Sequence, residues 1–169
     1  YDPREFAYFA FGGGGALNAV EIARELAMPT VVVPYRLGIT SALGTLLAPA
    51  RQDFVQTVNR RTTETTVASL AGIATGLADT GRRILDEQRL DLVGVEVRQV
   101  LELQFEGQTH TVPIPFTGEE TWETLSARFT KAYAESYGVL PGDGIPHRVV
   151  NVRVTVDGHR PPVDLRTLA

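Results

Sequence analysis

Residues 93–105 alternate with a period of two. Val93, Val95, Val97, Leu101, Leu103 and Phe105 are apolar, whereas Glu96, Arg98, Glu102 and Gln104 are polar. Such a stretch is satisfied as a strand with one face against a core and the other in water, which calls for an antiparallel sheet with an open face. Residues 149–156 carry the pattern again, with Val150, Val152, Val154 and Val156 expected on one face. Residues 109–116 return as an edge strand, because Pro113 and Pro115 each remove a ladder donor that a central strand needs. Two helices supply the cover. One spans residues 63–90 with a stripe of Val67, Leu70, Ala74, Leu77, Gly81, Ile84 and Leu85, although Gly72, Gly76 and Gly81 weaken its propensity. The other is opened by a capping box from Thr117 to Glu120 and carries Trp122, Leu125, Phe129 and Tyr133 at core spacing.

The first sixty residues follow another rule. Residues 6–11 form a continuous apolar run, the pattern of a strand buried on both faces. Residues 16–27 place Leu17, Val20, Ile22, Ala23, Leu26 and Ala27 on a helical stripe that Pro29 stops, and residues 30–34 are a second buried strand. A strand, helix and strand in about thirty residues imply parallel pairing with a right-handed crossover. Thr40 or Ser41 then caps a short helix closed by Pro49, and residues 53–58 form a strand. The fold class expected is therefore α/β plus α+β: residues 1–60 end a parallel α/β layer, and residues 61–169 form an α+β lobe with antiparallel strands. Residues 138–144 read as a loop, and the proline-bearing tail from 158 onward as poorly anchored.

Composition closes several functional classes. The 169 residues are 43% hydrophobic and 21% charged, values of a soluble globular protein. Net charge is −4 with interleaved signs, so no basic stripe exists to track a nucleic acid. The absence of cysteine removes disulfides, thiolate zinc sites, iron–sulfur clusters and cysteine nucleophiles. No apolar run approaches the roughly 20 residues of a membrane helix, and no leader opens the chain, so a cytoplasmic location is expected. Lys131 is the sole lysine, a bias from which no function follows. A start at Tyr1 without methionine reads as a piece of a longer protein.

Candidate chemistry concentrates at Gly12, Gly13, Gly14 and Gly15, between the first strand and the first helix, where free amides favour an anion. The loop is not a Walker loop, because no Gly-Lys-Ser/Thr follows, and Leu17 breaks the dinucleotide fingerprint. Spacing alone divides evenly between a nucleotide-contacting loop and a structural turn. Asn18 stands beside it, either facing a ligand or simply exposed. His110, His147 and His159 lack metal spacing. Ser41, Ser69, Ser126 and Ser136 lack a hydrolase elbow or a local base, and Asp53 stands alone at a strand start.

Several blocks together carry a family resemblance. Tyr1-Asp-Pro-Arg-Glu-Phe6, Phe11-Gly-Gly-Gly-Gly-Ala-Leu-Asn-Ala19, Ala23-Arg-Glu-Leu-Ala27 and Thr30-Val-Val-Val-Pro34 resemble the C-terminal part of the hydantoinase A and 5-oxoprolinase family. So do Gly38-Ile-Thr-Ser-Ala-Leu-Gly-Thr-Leu-Leu-Ala48, Arg51-Gln-Asp-Phe-Val55, Leu103-Gln-Phe-Glu-Gly-Gln108 and Val150-Asn-Val-Arg-Val-Thr155, in the same order. The resemblance implies an actin-like, hexokinase-like ATPase fold, ATP with magnesium as cofactor, and cyclic amides such as hydantoins and 5-oxoproline as substrates; related complexes carboxylate ketones. It also implies a second subunit of the hydantoinase B type and an oligomer. Gly12, Gly13, Gly14 and Gly15, with Asn18 and Ser41 nearby, would then contact the nucleotide.

The loop departs from the family's Gly-Gly-Ala-Gly-Pro-Leu-His pattern at Ala16 and Asn18, so any acid–base role of that histidine is missing here and a looser loop is expected. The earlier phosphate loop and carboxylates of an actin-like ATPase are expected outside these residues, so the segment alone should not hydrolyse ATP. The rival expectation is a non-catalytic assembly module that docks the hydantoinase B-type subunit through residues 61–169.

Overall fold

Strand β1 (Ala7–Phe9) pairs in parallel with β2 (Thr30–Val32), Ala7 opposite Thr30 and Phe9 opposite Val32, with helix α1 (Ala19–Glu25) between them in sequence. The computed structural model describes residues 1–140, 142 and 144–163. Helix α1 is shorter than its apolar stripe, because residues 12–18 are spent in consecutive turns. It ends with Ala27 left-handed (φ 53°), while the N–H groups of Ala27 and Met28 donate to the carbonyls of Arg24 and Ala23 at 3.1 and 2.8 Å. This is the paired closure usual for a left-handed helix end, completed one residue before Pro29.

Helix α2 (Thr40–Leu47) follows a 3-10 turn at Leu37–Ile39. Thr40 and Ser41 do not cap it: the cap position is Ile39, and the Thr40 hydroxyl donates to the Arg36 carbonyl at 3.2 Å. The 3-10 turn leads straight into the helix, so both residues already lie on a helical path. The expectation that residues 6–11 are buried on both faces also fails. Phe9 is 51% exposed, and Phe6 and Phe11 similarly so. In this unit, among the described residues, β1 has one neighbouring strand and one short helix, which cannot cover two faces.

The chain divides into compact units at Ala48/Pro49, giving Tyr1–Ala48 and Pro49–Pro161. The second unit contains β3 (Ala50–Arg61), α3 (Val67–Glu87), β4 (Gly94–Phe105), β5 (Val112–Pro115), α4 (Trp122–Tyr137) and β6 (His147–His159). Its sheet runs β3-β6-β4-β5, with every pair antiparallel. The division thus falls ahead of β3 rather than near residue 60, because β3 finds its hydrogen-bond partner in β6. Short β5 is an edge strand that buries Val112 and Ile114 and turns Pro113 and Pro115 outward. Gly158 and His159 belong to β6; within the expected tail, residues 164–169 lie outside the described residues, as do 141 and 143 of the expected loop.

Helix α3 lies on β6 and β3, and α4 on β5, so the core fills one side of the sheet. Leu70, Leu85, Leu101, Leu103, Leu125 and Phe129 are buried there with Val152, Val154 and Val156. The apolar face of β6 changes phase. Glu102 stands opposite Asn151 but Leu103 opposite Val149, which leaves Val150 as an extra, bulged residue. Val149 is consequently 0% exposed and Val150 only half-buried, the reverse of simple alternation.

The cap of α4 is Thr121, whose hydroxyl accepts the Thr124 N–H at 3.2 Å. The expected capping box forms one turn earlier, with the Glu120 carboxylate accepting from the N–H groups of Thr117 and Gly118 at 3.1 Å. Glycine also has a packing role in α3. A Cβ on Gly81 would stand 2.5 Å from Val156 Cγ2 and 3.0 Å from the Phe54 ring, whereas Gly72 and Gly76 face open space. Gly81→Ala is therefore expected to lower unfolding free energy by about 1–3 kcal/mol. Gly72→Ala and Gly76→Ala should raise it by about 0.5–1 kcal/mol each. Urea titrations of the three variants check both signs.

Candidate functional site

The glycine loop uses its four residues in different ways. Gly12 is left-handed (φ +85°), and its N–H donates to the Leu37 carbonyl at 2.7 Å, which ties the loop to the turn just ahead of α2 and Ser41. Gly15 N–H donates to Gly12 O at 3.3 Å and Leu17 N–H to Gly14 O at 3.2 Å, so the loop is a chain of tight turns. A Cβ on Gly15 would lie 2.0 Å from the Phe11 carbonyl oxygen, an impossible contact. Gly12 and Gly15 are thus required by the backbone itself.

Gly13 and Gly14 are not. Nothing lies within 4 Å of a Cβ on either, and neither backbone is left-handed. Among the described residues no hydrogen bond engages the N–H groups of Gly13, Gly14 or Ala16. Asn18 occupies the cap position of α1 but makes no side-chain cap bond, so its amide is uncommitted. Ser41 is exposed in the first turn of α2. The loop, Asn18 and Ser41 all belong to the Tyr1–Ala48 unit.

The second unit carries polar networks that single-residue reasoning missed. On the open face of the sheet, Asp53 is bonded by Arg51 at 2.7 Å and by the Thr155 hydroxyl at 2.6 Å. Those bonds, from Arg51 first, hold its carboxyl below the ordinary carboxylate range. Burial pushes Glu102 up, but bonds from Asn151 (2.6 Å) and Arg153 (2.7 Å) outweigh it and leave the group lowered. Arg98 pairs with one oxygen of buried Asp157, whose Oδ1 has no partner among the described residues. The signal was present in the sequence: the polar positions of β4 and β6 mark one face. Asp53 is therefore part of an ion-pair lattice and not a lone acid.

His147 Nδ1 lies 3.2 Å from the Ser126 hydroxyl, and its ring meets Phe105 and Phe129 edge-on at 5.0 and 4.9 Å. No carboxylate bonds the other ring nitrogen among the described residues, so the pair lacks the orienting third group of a hydrolytic triad. Burial pushes the His147 imidazole below its ordinary 6.5. A cavity of about 560 Å³ is lined by residues including Val97, Arg98, Phe116, Glu120 and Arg128. Among the described residues no group of three or more histidine or carboxylate side chains converges as a metal site, and no helix is long and apolar enough to cross a membrane.

By shape, the chain matches a nucleotide-free acetone carboxylase structure with a TM-score of 0.77 at 19% identity, over 96% of this chain and 24% of that one. It matches the ATP-dependent caprolactamase of Pseudomonas jessenii with a TM-score of 0.71 at 21% identity, over 97% and 25%. The shared fold is thus mixed α/β with an antiparallel sheet.

Residues 1–54 match the model of the hydantoinase/oxoprolinase family. An uncharacterised protein of Methanocaldococcus jannaschii is 29% identical over 94% of this chain and 22% of its own length. Caprolactamase subunit alpha of Pseudomonas jessenii is 24% identical (96% and 25%), and 5-oxoprolinase 1 of Arabidopsis thaliana 26% identical (82% and 11%). The similarity to the hydantoinase/oxoprolinase family thus lies in residues 1–54, and the chain spans a quarter or less of these relatives' length.

Two outcomes follow from the local geometry. Gly15→Ala should loosen the turns and speed amide hydrogen exchange across residues 12–19, whereas Gly13→Ala leaves exchange unchanged. For His147, the folded state favours the neutral ring and binds fewer protons than the unfolded state. Stability is therefore full above the ordinary 6.5 and falls as pH drops through the lower folded value. Chemical denaturation between about pH 7.5 and about pH 5.5 should show this loss, and His147→Phe, which keeps the ring packing, should flatten it.

Proposed function

We propose that this chain supplies a nucleotide-contacting loop to a larger ATP-dependent enzyme that acts on cyclic amides of the hydantoin or 5-oxoproline type. The observation that carries the reading is the openness of Gly13 and Gly14. The chain's own packing asks nothing of them, so their lack of side chain is explained by close approach of a ligand to the backbone. Unengaged N–H groups at Gly13, Gly14 and Ala16 fit a phosphate or a polar edge of a nucleoside, and the Asn18 amide and the Ser41 hydroxyl add neutral donors.

The family match over residues 1–54 and relatives named caprolactamase and 5-oxoprolinase support the amide substrate class. The likeness to structures described as ATP-dependent supports ATP with magnesium, on an actin-like ATPase fold. Bound ATP supplies a phosphoryl group that turns an unreactive amide oxygen into an activated one. This chain's residues bind and orient; its described side chains provide no clustered carboxylates for the metal. A partner of the hydantoinase B type accords with the relative designated subunit alpha.

The experiment is a calorimetric titration of ADP with magnesium into the complete polypeptide carrying this segment. Gly14→Val, at a position where a Cβ has nothing within 4 Å among the described residues, should weaken binding at least about tenfold, roughly 1.4 kcal/mol. Gly72→Ala, in the other unit, should leave it unchanged. Equal affinity of Gly14→Val and wild type would overturn the reading.

A further inference from the structure

The two edges of the four-stranded sheet are treated differently. At the β5 edge the strand has only four residues, and Pro113 and Pro115 remove outward donors, a protection against further pairing. At the other edge β3 has twelve residues and no proline. The direction of its backbone groups follows from the ladder. The Phe116 N–H donates to the Gln99 carbonyl, so Gln99 and its alternates in β4 point toward β5, whereas Glu96, Arg98 and Val100 point toward β6. Their partners Asp157, Thr155 and Arg153 face β4, which leaves Val152, Val154 and Val156 to face Gln56, Phe54 and Gln52 in β3. Arg51, Asp53, Val55 and Thr57 consequently direct their N–H and C=O groups outward. No backbone hydrogen bond reaches these groups among the described residues.

We infer that a second copy of this chain covers this edge, β3 pairing antiparallel with β3 across a two-fold axis at Val55. The edge is complementary to itself. Arg51 and Asp53 neutralise each other through a 2.7 Å ion pair, so two copies approach without like-charge repulsion. A two-fold axis at Val55 sets it against Val55 of the second copy, Asp53 against Thr57, and Phe54 against Gln56, with no like charges opposed. Val55 is 48% exposed, and this pairing covers it. The usable edge ends where the ladder becomes irregular after Thr57 and Asn59 turns left-handed (φ 48°), which, with the axis at Val55, limits the contact to residues 53–57. A closed two-fold pair satisfies the outward groups of Asp53, Val55 and Thr57 in both copies, and being closed it does not propagate.

The sequence contains no cysteine, so single substitutions report cleanly. Under mild oxidation Val55→Cys should form a disulfide-linked dimer, because opposed residues on paired strands fall within disulfide range. Asp53→Cys should not, since its opposite position is Thr57. Light scattering should show a wild-type dimer at concentrations where Val55→Lys is monomeric with unchanged circular dichroism. Hydrogen exchange tests the same idea without substitution: amides of Asp53, Val55 and Thr57 should be protected in the dimer and lose protection on dilution. A wild-type chain that stays monomeric up to its solubility limit, a dimer indifferent to Val55→Lys, or equal cross-linking from positions 53 and 55 would each overturn the inference.

Discussion

The second unit depends on β6 holding both of its edges at once. β3 and β4 are far apart in sequence and never pair with each other; each is hydrogen-bonded along most of its length to the strand between them. The same strand carries Val152, Val154 and Val156 into the core, where Gly81 lets α3 come down onto Val156. Its other face carries Asn151, Arg153, Thr155 and Asp157 into the ion-pair lattice. Backbone, core and polar surface therefore meet on one segment, and a slip of one residue would exchange its faces. The bulge at Val150 uses that exchange locally, turning Val149 inward at the end where His147 and Phe105 pack.

The first unit is organised around a different constraint, the reversal of direction after β1. Two of its four loop glycines answer to the backbone: Gly12 through its left-handed conformation and Gly15 through the Phe11 carbonyl. The middle pair, Gly13 and Gly14, answers to nothing among the described residues. Turn and cradle are thus not competing explanations for the whole run but apply to different positions within it. The exposed aromatic side chains of the same unit accord with a chain that spans a quarter or less of its relatives' length.

Periodicity made much of the second unit legible. The alternation from Val97 to Phe105, the prolines of the edge strand and the stripes of the two helices appear where the pattern put them, because each depends on local sequence and one buried face, whereas Val93 and Val95, expected on that face, are exposed. What escaped depended on contacts distant in sequence. β3 looked like the tail of the parallel layer until β6, about a hundred residues later, claimed it. Gly81 weakened a helix by propensity and is demanded by Val156 across the core. The shift of phase at Val150 could not be read from alternating valines, since a bulge is a relation between strands. In the candidate site the glycines were visible as a cluster, but their division into required and unconstrained residues needed the positions of Phe11 and Leu37. Ser126 and His147 carried no local sign of each other.

The late arrival of β6 also shapes how the chain is born. Thr57 and its cross-strand neighbour Asn151 are 94 residues apart. At ribosomal speeds of about 5–20 residues per second, β3 waits on the order of 5–20 s for a partner, with Phe54 uncovered and both edges free. The unit cannot close progressively from its first strand. Helix α3, which contacts β3 and follows it directly, is the first element able to shelter that strand, so a nascent β3–α3 pair is the natural holding state until β6 is translated.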